Sequence, residues 1–171
     1  MMKHILPESL GLNNNMITEF IPSIRNAARA LIVRNNHILL LRKEYEDGQA
    51  CFAFPGGGQE TGETLLQTLN RECLEEIDTE VDDCNLLHVA DYFKPRRTEP
   101  LKTRHLVEFL FECTVPDSYT PRNGNHPDKH QVAVVWKDIL EITQLGLYPE
   151  ILTSRVDKKS NKKSHVYLGE F

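Results

Sequence analysis

Between Gly57 and Glu76 the chain runs a glycine-rich turn, Gly57-Gly58-Gln59-Glu60-Thr61-Gly62-Glu63, ahead of Arg71-Glu72-Cys73-Leu74-Glu75-Glu76. Three carboxylates, Glu72, Glu75 and Glu76, fall within five positions. On a helix, like charges three or four residues apart repel by about 0.2–0.5 kcal/mol per pair. Such a cluster gains nothing unless a cation sits against it. A hard divalent cation fits, because Mg²⁺ is held by carboxylates together with phosphate oxygens.

The element that must carry these acids is a helix over about residues 64–77. Thr64-Leu65-Leu66-Gln67 reads as a capping box, with Thr64 as N-cap and Gln67 reaching back. Leu65, Leu66, Leu69, Cys73 and Ile77 recur at helical spacing and form an apolar stripe. At about 100° per residue the three glutamates span an arc of about 100°. Glu76 lies inside one edge of the stripe, Glu72 about 20° beyond that edge and Glu75 about 80° beyond it. The acids therefore run from the rim of the core toward solvent, and the lower dielectric at the rim strengthens cation binding. Arg71 stands four residues before Glu75 and eight after Glu63. Either carboxylate is within its reach, and a pair with Glu63 ties the turn to the helix.

Three glutamates alone read most simply as a solvating helix face. The whole pattern is more specific. Gly57, Glu63, Arg71, Glu72, Glu75 and Glu76 stand at fixed spacing, and this resembles the Nudix box of the Nudix hydrolases. In that box a Gly is followed after five residues by Glu, and after seven more by Arg-Glu, an aliphatic, any residue, Glu-Glu, any residue, Gly and an aliphatic. Two positions depart from the pattern. Cys73 stands at the first aliphatic place, which a small buried residue can fill, and Asp78-Thr79 replaces the closing Gly-aliphatic pair. A Gly there would be a left-handed C-cap, and Asp tolerates that conformation better than most residues. No acid of the box is missing.

The resemblance implies an α/β fold, an α/β/α sandwich with a central mixed β-sheet. It also implies hydrolysis of a nucleoside diphosphate linked to another moiety, X, or of a nucleoside triphosphate to the monophosphate and diphosphate, with Mg²⁺ or Mn²⁺. In that scheme Glu72, Glu75 and Glu76 are carboxylate ligands of the metal, Gly57 offers it a backbone carbonyl, and Glu63 holds Arg71. Glu72 or Glu75 can double as the base for the attacking water. In several members the base is instead a glutamate just before the Trp-bearing late strand. Here that region reads Lys129-His130-Gln131-Val132, without an acid, and the nearest acid is Asp128. His130 titrates in a suitable range but reads first as a surface-loop histidine. Glu108, within Leu106-Val107-Glu108-Phe109, reads first as an outward-facing strand residue.

Other residues are candidate substrate contacts. Lys94, Arg96, Arg97, Lys102 and Arg104 place five cations in eleven positions, where a phosphate or carboxylate of X can dock. Arg42 ends a strand near the expected cleft, and Phe54, like Phe52, precedes the glycine turn and can stack on a base.

The surrounding chain fits one domain. It has 171 residues, a net charge of −5 and a pI near 5.8, which speaks against a bulk nucleic-acid or anionic-membrane binder. The four cysteines show no CxxC pair or zinc spacing. With no secretory pattern at the N-terminus and no apolar run of membrane-spanning length, they read as free thiols in the cytoplasm. Residues 1–24 form a lead-in, 25–155 the catalytic domain and 156–171 a basic tail. Arg29–Val33 and His37–Leu41 read as a hairpin. Strands follow at Cys51–Phe54, Leu86–Phe93, His105–Val115 and Gln131–Trp136, and short helical pieces at 139–152. An edge strand is expected at His165–Leu168. Strands on both sides of one helix without βα alternation point to a mixed sheet.

The expected partner is a small nucleotide substrate, and the resemblance adds a homodimer. Two other functions compete with the hydrolase. A ligand-sensing module that has lost catalysis would show a damaged box. An mRNA-cap hydrolase would need a basic RNA-binding region, for which only the lysine-rich tail speaks.

Overall fold

A computed structural model describes residues 19–20, 23–46, 48–96, 102–144, 147–148 and 166–170. In chain order the elements are β1 (Glu19–Phe20), β2 (Arg25–Arg34), β3 (His37–Glu44), β4 (Ala50–Ala53), β5 (Gly56–Gly58), α1 (Leu65–Ile77), β6 (Asp82–Arg96), β7 (Lys102–Thr114) and β8 (Gln131–Asp138). A 3₁₀ turn (Ile139–Gln144), β9 (Leu147–Tyr148) and β10 (Tyr167–Glu170) complete the list. No helix among the described residues is long and apolar enough to cross a membrane.

The expected hairpin forms at β2–β3. Asn35 and Asn36 both take positive φ, 47° and 64°, as a two-residue type I′ turn requires. The strands stay paired for only two residues each, Val33 opposite Ile38 and Arg34 opposite His37. Beyond them the strands part. β2 runs parallel to β7 and antiparallel to β5, whereas β3 lies antiparallel to both β4 and β8. β6 pairs antiparallel with β7. The sheet is therefore mixed, as expected, and it opens into two halves past the hairpin.

Helix α1 covers one face. Leu69, Cys73 and Ile77 are fully buried against Ala28, Ala30 and Ile32 of β2, Leu39 and Leu41 of β3, and Phe111 and Cys113 of β7. Burial of Leu69 and Ile77 stabilises the fold by about 1.5–3 kcal/mol each. Leu66, expected in the stripe, is 47% exposed, and Thr68 takes the buried place beside Leu69. The opposite face carries a second cluster of Leu31, Ile38, Leu40, Phe54 and Leu110, against which Ile139 of the 3₁₀ turn packs. These layers make the α/β/α sandwich, with α1 as its one α-helix among the described residues.

Three elements differ from expectation. The glycines Gly56–Gly58, read as a turn, form β5 on the edge of β2. Glu19–Phe20, within the lead-in, pairs with β7. The late edge strand forms two residues further on, at Tyr167–Glu170, and pairs parallel with β6.

Candidate active site

The site is built where the sheet opens. Helix α1 begins at Thr64, whose hydroxyl accepts from the Gln67 backbone N–H at 3.2 Å while the Thr64 N–H donates to the Gln67 side chain at 2.8 Å. It ends at Asp78, which adopts the left-handed conformation (φ 54°, ψ 39°) that the departure from Gly demanded. The helix therefore has the expected ends, and Glu72, Glu75 and Glu76 face a common cleft.

Arg71 organises the turn. Its Nε and Nη2 donate to the two Glu63 oxygens at 2.7 and 3.1 Å, and Nη2 also donates to the Gly58 carbonyl at 3.1 Å. Its Nη1 donates to Glu72 at 2.9 Å and to Glu75 at 3.3 Å. Arg71 thus pairs with both carboxylates left open by the sequence, and with Glu72 as well. The Arg71 guanidinium, helped by the Glu60 N–H and the Thr68 hydroxyl, holds the Glu63 carboxyl down at about 2. Arg71 is raised in turn, chiefly by Glu63.

The acids differ in burial. Glu76 is 4% exposed. Desolvation pushes its carboxyl up to about 7, although the Gly56 N–H donates to it at 2.8 Å and Arg29 and Lys43 lie nearby. Glu72 is raised too, by burial first, with Arg71 opposing. Glu75 stands farthest out, its side chain 36% exposed. This is the order the helical wheel gave. Gly57 packs directly on Glu72, and a Cβ there would sit 2.3 Å from its Oε1. Only a glycine brings the backbone this close to the carboxylate.

The opposite wall comes from the loop before β8, which is held by the open C-terminal carbonyls of α1. Gly124 N–H donates to the Glu76 carbonyl at 3.0 Å, His126 N–H to the Glu75 carbonyl at 3.0 Å, and the Gln131 side chain to the Glu76 carbonyl at 2.7 Å. The Tyr119 hydroxyl donates to the Ile77 carbonyl at 2.8 Å. The result is a cleft of about 380 Å³ lined by Arg29, Gly56–Gly58, the three glutamates and residues 126–129.

A divalent metal suits this donor set. The acids and the Gly57 carbonyl are hard oxygen donors, and the buried Glu76 and half-buried Glu72, both with raised titration, lie one turn apart, a repulsion that a cation would relieve. Among the described residues, no three carboxylates or histidines are already drawn together as a metal cage. The physical reason is Arg71, which holds oxygens of Glu72 and Glu75, while Gly56 holds one of Glu76.

Several expectations are revised by the structure. Phe54 is fully buried in the second cluster, so it does not stack on a substrate base. Arg42 pairs with Glu44 at the exposed end of β3 and does not line the cleft. Glu108 is not outward-facing. It is 4% exposed and pairs with Arg29 at 3.1 Å. His130 stacks on Tyr45 at 4.6 Å, and His126, four residues earlier, lines the cleft in its place. Asp128 also lines the cleft and pairs with Lys43. Burial pushes the Asp128 carboxyl up, but Lys43 and the Lys129 N–H outweigh it and leave it lowered. Arg97 lies outside the described residues.

The family model described as NUDIX domain matches residues 24–154. An ADP-ribose pyrophosphatase of Methanocaldococcus jannaschii is 40% identical over 50 residues, a match spanning 29% of this chain and 30% of that protein. A NUDIX hydrolase from Nitrosomonas europaea has the same fold, with a TM-score of 0.61 at 21% identity over 78% of this chain and 86% of that one. A MutT NUDIX hydrolase from Burkholderia pseudomallei is 27% identical, with a TM-score of 0.53 over 68% of this chain and 84% of that one.

Proposed function

This chain belongs to the Nudix family, and we propose that it is a metal-dependent hydrolase of the diphosphate linkage in a nucleoside diphosphate joined to another moiety, X. Water adds to one phosphorus and the bridging P–O bond breaks, so NDP-X yields NMP and phospho-X. A triphosphate yields NMP and diphosphate by the same step. The observation that carries this reading is the turn-and-helix cleft, in which Gly57 packs on Glu72 beside the buried Glu76 and the more open Glu75.

Glu72, Glu75 and Glu76, with the Gly57 carbonyl, would hold Mg²⁺ or Mn²⁺. Such an ion neutralises the diphosphate charge and lowers the pKa of a bound water. Glu63 fixes Arg71, and Arg71 fixes the Gly58 carbonyl and the glutamates. The turn and the helix are therefore fixed to one another before substrate arrives, and positioning of this kind supplies most of the catalysis in phosphoryl transfer. Glu75 is the acid best placed to take the proton of the attacking water. It is the most exposed of the three and is held by one 3.3 Å contact with Arg71. Asp128 is less suited, because Lys43 neutralises it. The unbridged cysteines among the described residues accord with a cytoplasmic setting.

The test is a screen of ADP-ribose, sugar nucleotides, dinucleotides and nucleoside triphosphates in Mg²⁺, in Mn²⁺ and in EDTA. The expected result is release of a nucleoside monophosphate and a second phosphorylated product, dependent on metal. Turnover undiminished in EDTA, or none with any member of the screen, would count against the reading.

A further inference from the structure

The three-stranded stretch β6–β7–β2 sorts its charges by face. Residues opposite one another in paired strands share a face, as do alternate residues along each strand. Arg25 is opposite Leu106, Ala27 opposite Glu108 and Arg29 opposite Leu110. Across the other edge of β7, Lys102 is opposite Arg96, Arg104 opposite Lys94 and Glu108 opposite Ala90. Arg25, Arg29, Lys94, Arg96, Lys102 and Arg104 therefore share the face away from α1, with Glu108 set among them and Glu112 farther along β7, opposite Leu31. Six cations surround Glu108 on this face, in a chain whose net charge is −5.

Glu108 is already engaged, since it pairs with Arg29. Arg29 also donates to the Gly56 carbonyl and lines the metal cleft, so the cationic face and the cleft meet there. Arg25 lies against the same turn. Its Nη2 would be 2.2 Å from a Cβ on Gly58, so its guanidinium rests on the residue next to Gly57. Arg25, Arg96 and Arg104 have no acidic partner among the described residues. Partial burial, and then repulsion from Arg96 and Arg25, lowers the Arg104 guanidinium below its ordinary value. Burial, followed by Arg29, Lys43 and Arg96, lowers Lys94 in the same way.

We infer that Arg25, Arg96 and Arg104 form an anion subsite continuous with the metal cleft, which receives a phosphate group on the X side of the substrate. Guanidinium forks bind phosphate in bidentate fashion, and a neutral sugar at X would leave three cations facing one another. The enzyme therefore favours substrates that end in phosphate beyond the scissile linkage over those whose X is an uncharged sugar. This deepens the proposed hydrolase function and rests on it for the place of X, but binding at the subsite needs neither metal nor turnover.

The probe is inorganic tripolyphosphate, titrated calorimetrically into the full chain in EDTA. Without metal the glutamates repel it, so binding reports the arginines. One saturable site is expected. Arg104→Gln and Arg25→Gln should each weaken it about 10- to 100-fold, the scale of a charged hydrogen bond. Arg122→Gln is the control, because Arg122 is exposed and already pairs with Asp78, the C-cap of α1, and it should leave binding within about 3-fold, as a screened surface charge does. Absence of saturable binding, or the same loss in all three variants, would overturn the subsite. With Mg²⁺, Arg104→Gln should lower kcat/KM for ATP relative to ADP-ribose by about 10-fold or more. An unchanged ratio with lost tripolyphosphate binding would assign the site to free phosphate and overturn its place in substrate choice. Failure of the hydrolase reading would show instead as absent turnover, with binding intact.

Discussion

Replacing Glu76 by Gln should stabilise the metal-free protein while destroying its metal response. Glu76 is 4% exposed and its carboxyl is pushed up from 4.5 to about 7, chiefly by desolvation. An acid raised in the folded state is neutral in both states below 4.5 and ionised in both above about 7. The penalty is thus absent at low pH, grows between those values and is fully present above about 7. At about 1.4 kcal/mol per pH unit, the folded state carries about 3 kcal/mol of destabilisation at pH 8. Glutamine keeps an acceptor for the Gly56 N–H and removes the charge. For a chain of this size each kcal/mol moves Tm by about 2–4 °C, so Glu76→Gln should melt roughly 6–12 °C higher at pH 8 in EDTA. At pH 5 the difference should shrink to about 1–3 °C, and at pH 4 it should vanish. Excess Mg²⁺ or Mn²⁺ should raise the wild-type Tm, because it binds the folded state, and should raise that of the variant less. The assay is thermal unfolding by circular dichroism across pH, with and without metal. A variant that melts at or below wild type at pH 8 in EDTA, or that gains as much from metal, would refute the reasoning.

Other consequences are local. Glu63→Gln removes the carboxylate that fixes Arg71 and should lower activity by about 10- to 100-fold, as loss of a supporting group at a metal site does. Because Glu63 is held down at about 2 by Arg71, its contribution to stability is present above 4.5 and is lost as pH falls through about 2. The variant should therefore show a weaker acid transition in a pH titration of circular dichroism. Gly124→Ala places a Cβ 2.3 Å from the Glu75 carbonyl. Displacing the loop should cost about 1–3 kcal/mol by urea unfolding, with a rise in KM. Tyr119→Phe removes the hydroxyl that donates to the Ile77 carbonyl at 2.8 Å. It should lose about 1 kcal/mol in the same assay and leave kcat within about 2-fold, since no reacting group is touched.

What the chain discloses in its sequence divides along local and non-local physics. The capping box at Thr64, the acid arc and the Asp78 cap follow from spacing within one helix, and all three are present in the structure. The Glu63–Arg71 pair spans eight residues and was legible for the same reason. Glu108 was misplaced because strand alternation assumes one wet face, whereas β7 is covered on both sides at that point. Phe54 is buried for a similar reason, beneath the second cluster. The pairing of Gly56–Gly58 with β2 and the entry of His126 into the cleft depend on contacts across twenty to fifty residues. No local signal marks either, except that Gly124 must be small to pass the helix end.

Metal-dependent diphosphate hydrolysis on the acidic helix stands or falls with Glu75. The measurement is kcat of wild type and Glu75→Gln at saturating Mg²⁺, on the best substrate of the screen, with folding checked by melting temperature. Loss of the carboxylate should lower kcat by about 10²–10⁴-fold, the scale of a lost base at the reacting centre, with the fold intact. A folded variant that turns over at the wild-type rate would contradict it.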